Sequence, residues 1–188
     1  MKNLEPSRDC AGGGESAPTW DHEWLWQSAA VFAAKAHSGL TTPGTDDPYF
    51  SHSARVALLI SAVFRCHDEE LLAAAHLHDV LEKTEVRSLD LSARFGDRVA
   101  EWVEWLSKDE KGGRDTYWDR LPAAPWQARL IKMADALDHL NGLTEYRPAR
   151  LRAARKALKL ANSHEPEIER AAKILRQAIA AQEASPNH

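Results

Sequence analysis

His52, the adjacent pair His78-Asp79, and Asp135 are the residues of this chain best suited to chemistry. Two imidazoles and two carboxylates form a mixed nitrogen and oxygen donor set, which fits one divalent metal ion. A cation held with an open position acidifies water to near neutral pH and so supplies a nucleophile. Each of the four lies in a stretch with helical patterning. Singly, each has a plainer explanation, because a His or Asp on a half-apolar helix face is usually a hydrogen-bonded core or surface residue. The combination is what favours a metal.

The elements that must position these residues are helices. DEELLAAAHLHDVLE, residues 68–82, predicts one helix in which Leu71, Ala75, His78 and Glu82 share a face, with Asp79 beside it. An acid next to an imidazole on a core-facing stripe is costly unless something pairs with it. Ala73 to Ala75 would let a neighbouring helix approach closely. His52 opens a helix over 51–64 with Val56, Leu59, Ile60 and Val63 on one side. Asp135 sits in RLIKMADALDHL among Leu130, Ile131, Met133, Ala134 and Leu137, in a helix over 125–140, so it too asks for a partner. Further helices are expected over 21–37, 88–95 (ended by Gly96), 97–108 and 116–121, and two over 147–183 broken near Ser163 to Pro166. SGLTTPGTDDPY and KDEKGGR are loops, and Asn141-Gly142 is a stop. Alternating apolar and polar runs are scarce and no repeat is present. The expected fold is all-α: one helical domain over 19–188, with the helices of 147–183 packed on it, behind a loose tail of residues 1–18.

The chain has 188 residues and a net charge of −4, so no global basic field points to nucleic acid. Two cysteines are too few for a disulfide framework. No apolar run is long enough to cross a bilayer, and the N-terminus lacks an apolar signal core, so a cytoplasmic protein away from membranes is expected. Asp68 reads as an N-cap, His76 as packing, and His37 as a group bonding the last carbonyls of its helix. RPARLRAARKALK carries six basic residues and no acid, which is ordinarily a solvated helix face. Seven tryptophans are many for this length. Trp102 and Trp105 read as core, whereas a partly exposed aromatic cluster would mark a homo-oligomer surface.

The stretches FAAKAHSG, GTDDPYFSHSARVA, LLAAAHLHDVLEKT, RFGDRVAEWVEWLSK and ARLIKMADALDHL occur in this order between Trp24 and Leu140. With their spacing, the chain resembles the HD-domain metal-dependent phosphohydrolase superfamily, and most of all the hydrolase domain of the RelA/SpoT enzymes and the Mesh1-like small alarmone hydrolases. The resemblance implies an HD-type helical bundle in which His52, His78, Asp79 and Asp135 hold the metal, normally manganese. It also implies removal of the 3′-pyrophosphate of (p)ppGpp, or of a related pyrophosphorylated nucleotide, by metal-held water attacking phosphorus. Glu82 would orient that water or relay a proton. Tyr49 would shape the nucleotide site, with Lys35, Arg55, Lys83 and Lys132 offering charge to phosphates.

The chain departs from the family in three places. Lys83 stands where Asp is usual, and it would either weaken hydrolysis or contact a substrate phosphate. The loop from His37 to Tyr49, usually basic, carries Asp46 and Asp47 instead. His139 replaces the usual Asn four residues after Asp135, where it would still line the pocket. The alternative reading is a catalytically weak or inactive HD domain that binds a nucleotide or partner.

Overall fold

Residues 126–140 carry apolar side chains on nearly every face, and a helix of that composition must be buried. A computed structural model describes residues 24–108, 113–140 and 146–184, and among them every regular element is helical. In order these are α1 (Leu25–Ala36), α2 (Phe50–Leu58), α3 (Glu69–Leu77), α4 (Val80–Lys83), α5 (Ser88–Phe95), α6 (Asp97–Leu106), α7 (Gly113–Arg120), α8 (Trp126–Leu140), α9 (Arg147–Leu158) and α10 (Pro166–Ala184). Thr41 and Pro48 form one isolated β-bridge across the loop before α2. The expected tail and the Asn141-Gly142 stop lie outside the described residues, and so does most of the KDEKGGR loop. No described helix is long and apolar enough to cross a membrane.

Buried α8 is the axis of the fold. Eleven of its residues are buried, and α2, α3, α6, α9 and α10 all pack on it. Ala73, Ala74 and Ala75 of α3 are fully buried, as are Ala29 and Ala33 of α1. Small side chains on both helices explain why α1 and α3 form the most extensive helix pair. Trp102 is core at 3% exposure, while Trp24 is 43% exposed. Between α5 and α6 the backbone turns at Gly96 with φ 91°, a conformation that a side chain would strain.

Local chemistry ends and starts the helices near the candidate site. Asp68 accepts the Leu71 amide at 2.8 Å and so caps α3, as expected. Asp68→Ala should lower stability by about 1 kcal/mol in denaturant unfolding. After α2 the chain widens into a π turn over Leu59–Val63, in which the Phe64 amide donates to the Leu59 carbonyl at 2.9 Å. The extra residue rotates the helix face. Phe64 is therefore fully buried and Val63 is 37% exposed, the reverse of the expected stripe.

The helix expected over 68–82 is broken. α3 stops at Leu77, and α4 starts at Val80 after Asp79 leaves helical geometry (φ −103°, ψ −3°). His78 Nδ1 lies 2.9 Å from the Ala75 carbonyl, a side-chain bond that competes with the backbone ladder. The pair His78-Asp79 thus sits in a two-residue junction, and Glu82 no longer continues the face that carries Leu71 and Ala75.

Candidate metal centre

Three segments bring four side chains together in one buried region. The N-terminal turn of α2 carries His52, the α3–α4 junction carries His78 and Asp79, and α8 carries Asp135. His52 Nε2 lies 3.3 Å from Asp135 Oδ1 and 4.0 Å from Asp79 Oδ2. His78 Nε2 lies 3.5 Å from Asp79 Oδ1, and the rings of His52 and His78 are 5.1 Å apart. Donor atoms of His52, His78 and Asp79 all fall within 4.8 Å of one another, and so do those of His52, Asp135 and His139. The structure therefore brings together all four residues singled out by their types, with His139 at the rim.

The decisive detail is a pair of unsatisfied atoms. His52 Nε2 and His78 Nε2 are buried and make no hydrogen bond. Leaving a buried polar atom without a partner costs about 1–3 kcal/mol each. His52 Nε2 faces the carboxylates of Asp79 and Asp135, and His78 Nε2 faces that of Asp79. Bare imidazole nitrogens and carboxylate oxygens around one point are the donor set that a divalent cation satisfies. On the far side, the His78 Nδ1 bond to the Ala75 carbonyl keeps the proton off Nε2.

The charges agree. Burial works against ionising Asp135, but Lys132, then His139 and His52, hold its carboxyl well below the usual range. Burial likewise opposes ionisation of Asp79, and His78, the Tyr49 hydroxyl and His52 hold it low. Tyr49 donates its hydroxyl to Asp79 Oδ2. Burial lowers the pKa of His52, yet the negative charge of Asp135, the bond to Asp138 and the nearby Asp79 carry it up to about 9. A cation entering the site must therefore displace a proton from His52.

A family model for the HD domain matches residues 29–161. This chain belongs to the HD-domain family. Over 145 residues it is 34% identical to the bifunctional (p)ppGpp synthase/hydrolase SpoT of Escherichia coli K12, covering 71% of this chain and 20% of SpoT. The guanosine-3′,5′-bis(diphosphate) 3′-pyrophosphohydrolase of Vibrio cholerae is 36% identical over 149 residues, covering 73% of this chain and 21% of that protein. The present HD domain thus spans about a fifth of the length of these bacterial relatives. The guanosine-3′,5′-bis(diphosphate) 3′-pyrophosphohydrolase MESH1 of Danio rerio is 32% identical over 122 residues, covering 62% of this chain and 68% of that protein. The solved structure of a metazoan ortholog of SpoT superposes with a TM-score of 0.69 at 24% identity, covering 83% of this chain and 96% of that one, which shows the shared fold.

Around the centre of this HD domain the other expected residues are arranged as follows. Glu82 turns to Lys108, whose ammonium lies 2.8 and 3.1 Å from its oxygens and whose amide donates at 2.7 Å. Lys83 is exposed, with its ammonium 5.7 Å from the centre of the Tyr49 ring. Lys132 pairs with Asp135 at 2.7 Å, and Arg55 pairs with Asp138, so both are already engaged. His76 is buried against Phe50, as packing requires, and burial pushes its pKa down to about 4. His37 is buried too; burial lowers its pKa, and the Ala33 carbonyl in the last turn of α1 lies close enough to its ring to act the other way, as expected for its place at the helix end.

Two residues escaped the sequence reading. Asp138 is 9% exposed and lies 2.8 Å from His52 Nδ1. Its signal was available, since it is a second acid one turn after Asp135, with the apolar Ala136 and Leu137 between them. Lys108 gave no signal, because nothing local to it indicates Glu82 as its partner.

Proposed function

We propose that this HD domain is a manganese-dependent phosphohydrolase that removes the 3′-pyrophosphate of (p)ppGpp or of a closely related pyrophosphorylated nucleotide. The observation that carries the reading is the pair of orphaned Nε2 atoms facing Asp79 and Asp135. The names of the similar proteins support the choice of substrate. A divalent cation held there acidifies water and offsets negative charge on the attacked phosphorus. His52, His78, Asp79 and Asp135 hold it; Tyr49 fixes the orientation of Asp79. Lys132 holds Asp135 ionised on the side away from His52. His139, on the outer edge beside Asp135, lines the substrate mouth, and Lys83 over the Tyr49 ring meets a substrate phosphate. This reading includes a cytoplasmic location.

The test is to load the purified protein with manganese, add ppGpp, and follow pyrophosphate and GDP. Manganese-dependent release is expected. No metal uptake, together with no turnover of any nucleotide offered, would sink the reading. Because His52 must lose a proton, manganese should bind more tightly as pH rises toward about 9, with proton release measurable by calorimetry in buffers of different ionisation enthalpy.

The lock of Lys108 on Glu82 favours a second reading, a domain that binds the nucleotide without turning it over. Glu82 so held is poorly placed to relay a proton. Inert wild type that gains hydrolysis on Lys83→Asp would select this second reading; active wild type excludes it.

A further inference from the structure

Behind the metal centre a carboxylate is held with unusual completeness. Asp138 Oδ2 lies 2.8 Å from His52 Nδ1, on the face of the ring opposite the bare Nε2. The Arg55 guanidinium grips the same carboxylate with two bonds, Nε to Oδ1 at 2.7 Å and Nη2 to Oδ2 at 3.0 Å. Such a fork fixes the plane of the carboxylate. Both oxygens are then acceptors with assigned donors, and His52 Nδ1 can only be one of those donors. An imidazole that donates from Nδ1 has a free lone pair on Nε2 when it is neutral. The arrangement joins α2 to α8 through a chain of charges from Arg55 to Asp138 to His52.

We infer that Asp138 is a positioning residue, whose carboxylate fixes the proton of His52 on Nδ1 and so presents Nε2 to a divalent cation. The inference rests on the metal reading above. A carboxylate behind a ligating His sets its tautomer and ring angle and raises its basicity, and loss of such a partner typically weakens metal binding about 10–100-fold. Asp138→Asn keeps the shape. Its amide cannot accept from His52 and from both Arg55 donors at once, so one contact must fail.

The experiment compares wild type, Asp138→Asn and Arg55→Met by nitrogen-15 NMR of the metal-free protein and by manganese titration. Metal-free wild type should show a slowly exchanging, downfield Nδ1–H resonance for His52. Asp138→Asn should move it upfield and raise the manganese Kd about 10–100-fold. Arg55→Met removes the Arg55 part of the α2–α8 tie but leaves Asp138 on His52, so it should keep the resonance and bind within a few-fold of wild type. A purely structural role predicts equal losses in the two variants, and that result overturns the inference. Absence of the resonance from wild type, or unchanged affinity in Asp138→Asn, does the same. Wild type that shows the resonance yet takes up no manganese overturns the metal reading, and the inference with it, while leaving the hydrogen bond established.

Discussion

Asp79→Ala is expected to strip divalent metal from the purified protein and to lower metal-dependent turnover by on the order of 10³-fold. Asp79 stands in the junction between α3 and α4, with His78 Nε2 at 3.5 Å and His52 Nε2 at 4.0 Å. Its removal takes away one of two carboxylates and leaves two imidazoles and Asp135, a weaker and less charged donor set. On the proposed function, several kcal/mol of transition-state stabilisation would depend on that site, and each 1.36 kcal/mol is about tenfold in rate. The substitution also strands the Tyr49 hydroxyl, which donates to Asp79, at a cost of about 1–3 kcal/mol in stability. Elemental analysis of the purified variant separates the two effects, with circular dichroism as the check that it folds. Metal content equal to wild type, or turnover within a few-fold of it, would remove Asp79 from the ligand set.

Asp135→Asn should destabilise the metal-free protein by about 3–5 kcal/mol, because it leaves Lys132 as a buried cation without its counter-charge. The Lys132 ammonium lies 2.7 Å from Asp135 Oδ2, and the two side chains are only 15% and 8% exposed. Lys132→Met should cost less, since Asp135 keeps His52 and His139 as partners at 3.3 and 2.7 Å. Denaturant unfolding of the two variants, alone and combined, measures the difference. The pH dependence has a definite sign. Asp135 is held below its ordinary value of 3.8, so the stability it contributes is complete above that value and is lost as pH falls through its lower folded-state value. Asp135→Asn should therefore flatten the acid limb of the stability curve relative to wild type. Equal acid limbs would show that this pair is not what sets acid sensitivity.

The helices were legible because their signal is local. Apolar spacing placed α1, α2, α5, α6, α8, α9 and α10, and Gly96 and Asp68 marked ends that the structure keeps. Two local errors have local causes. The π turn inserts one residue, so Phe64 rather than Val63 turns inward, and periodicity alone cannot register a single added residue. The break at His78-Asp79 follows from a side chain competing for the Ala75 carbonyl, which no count of apolar positions detects.

By itself the sequence determined an all-α chain and a set of two imidazoles and two carboxylates on its helices, because residue type and helical period are properties of short segments. Tertiary structure alone decided how these groups are used. It set Asp138 against His52 across 86 residues, and Lys108 against Glu82 across 26. It also left Nε2 of His52 and of His78 bare in the same buried space. Contacts over such separations arise only when helices pack, α2 on α8 for the first and α3 on α6 for the second, since packing, not spacing along the chain, selects which charge meets which partner.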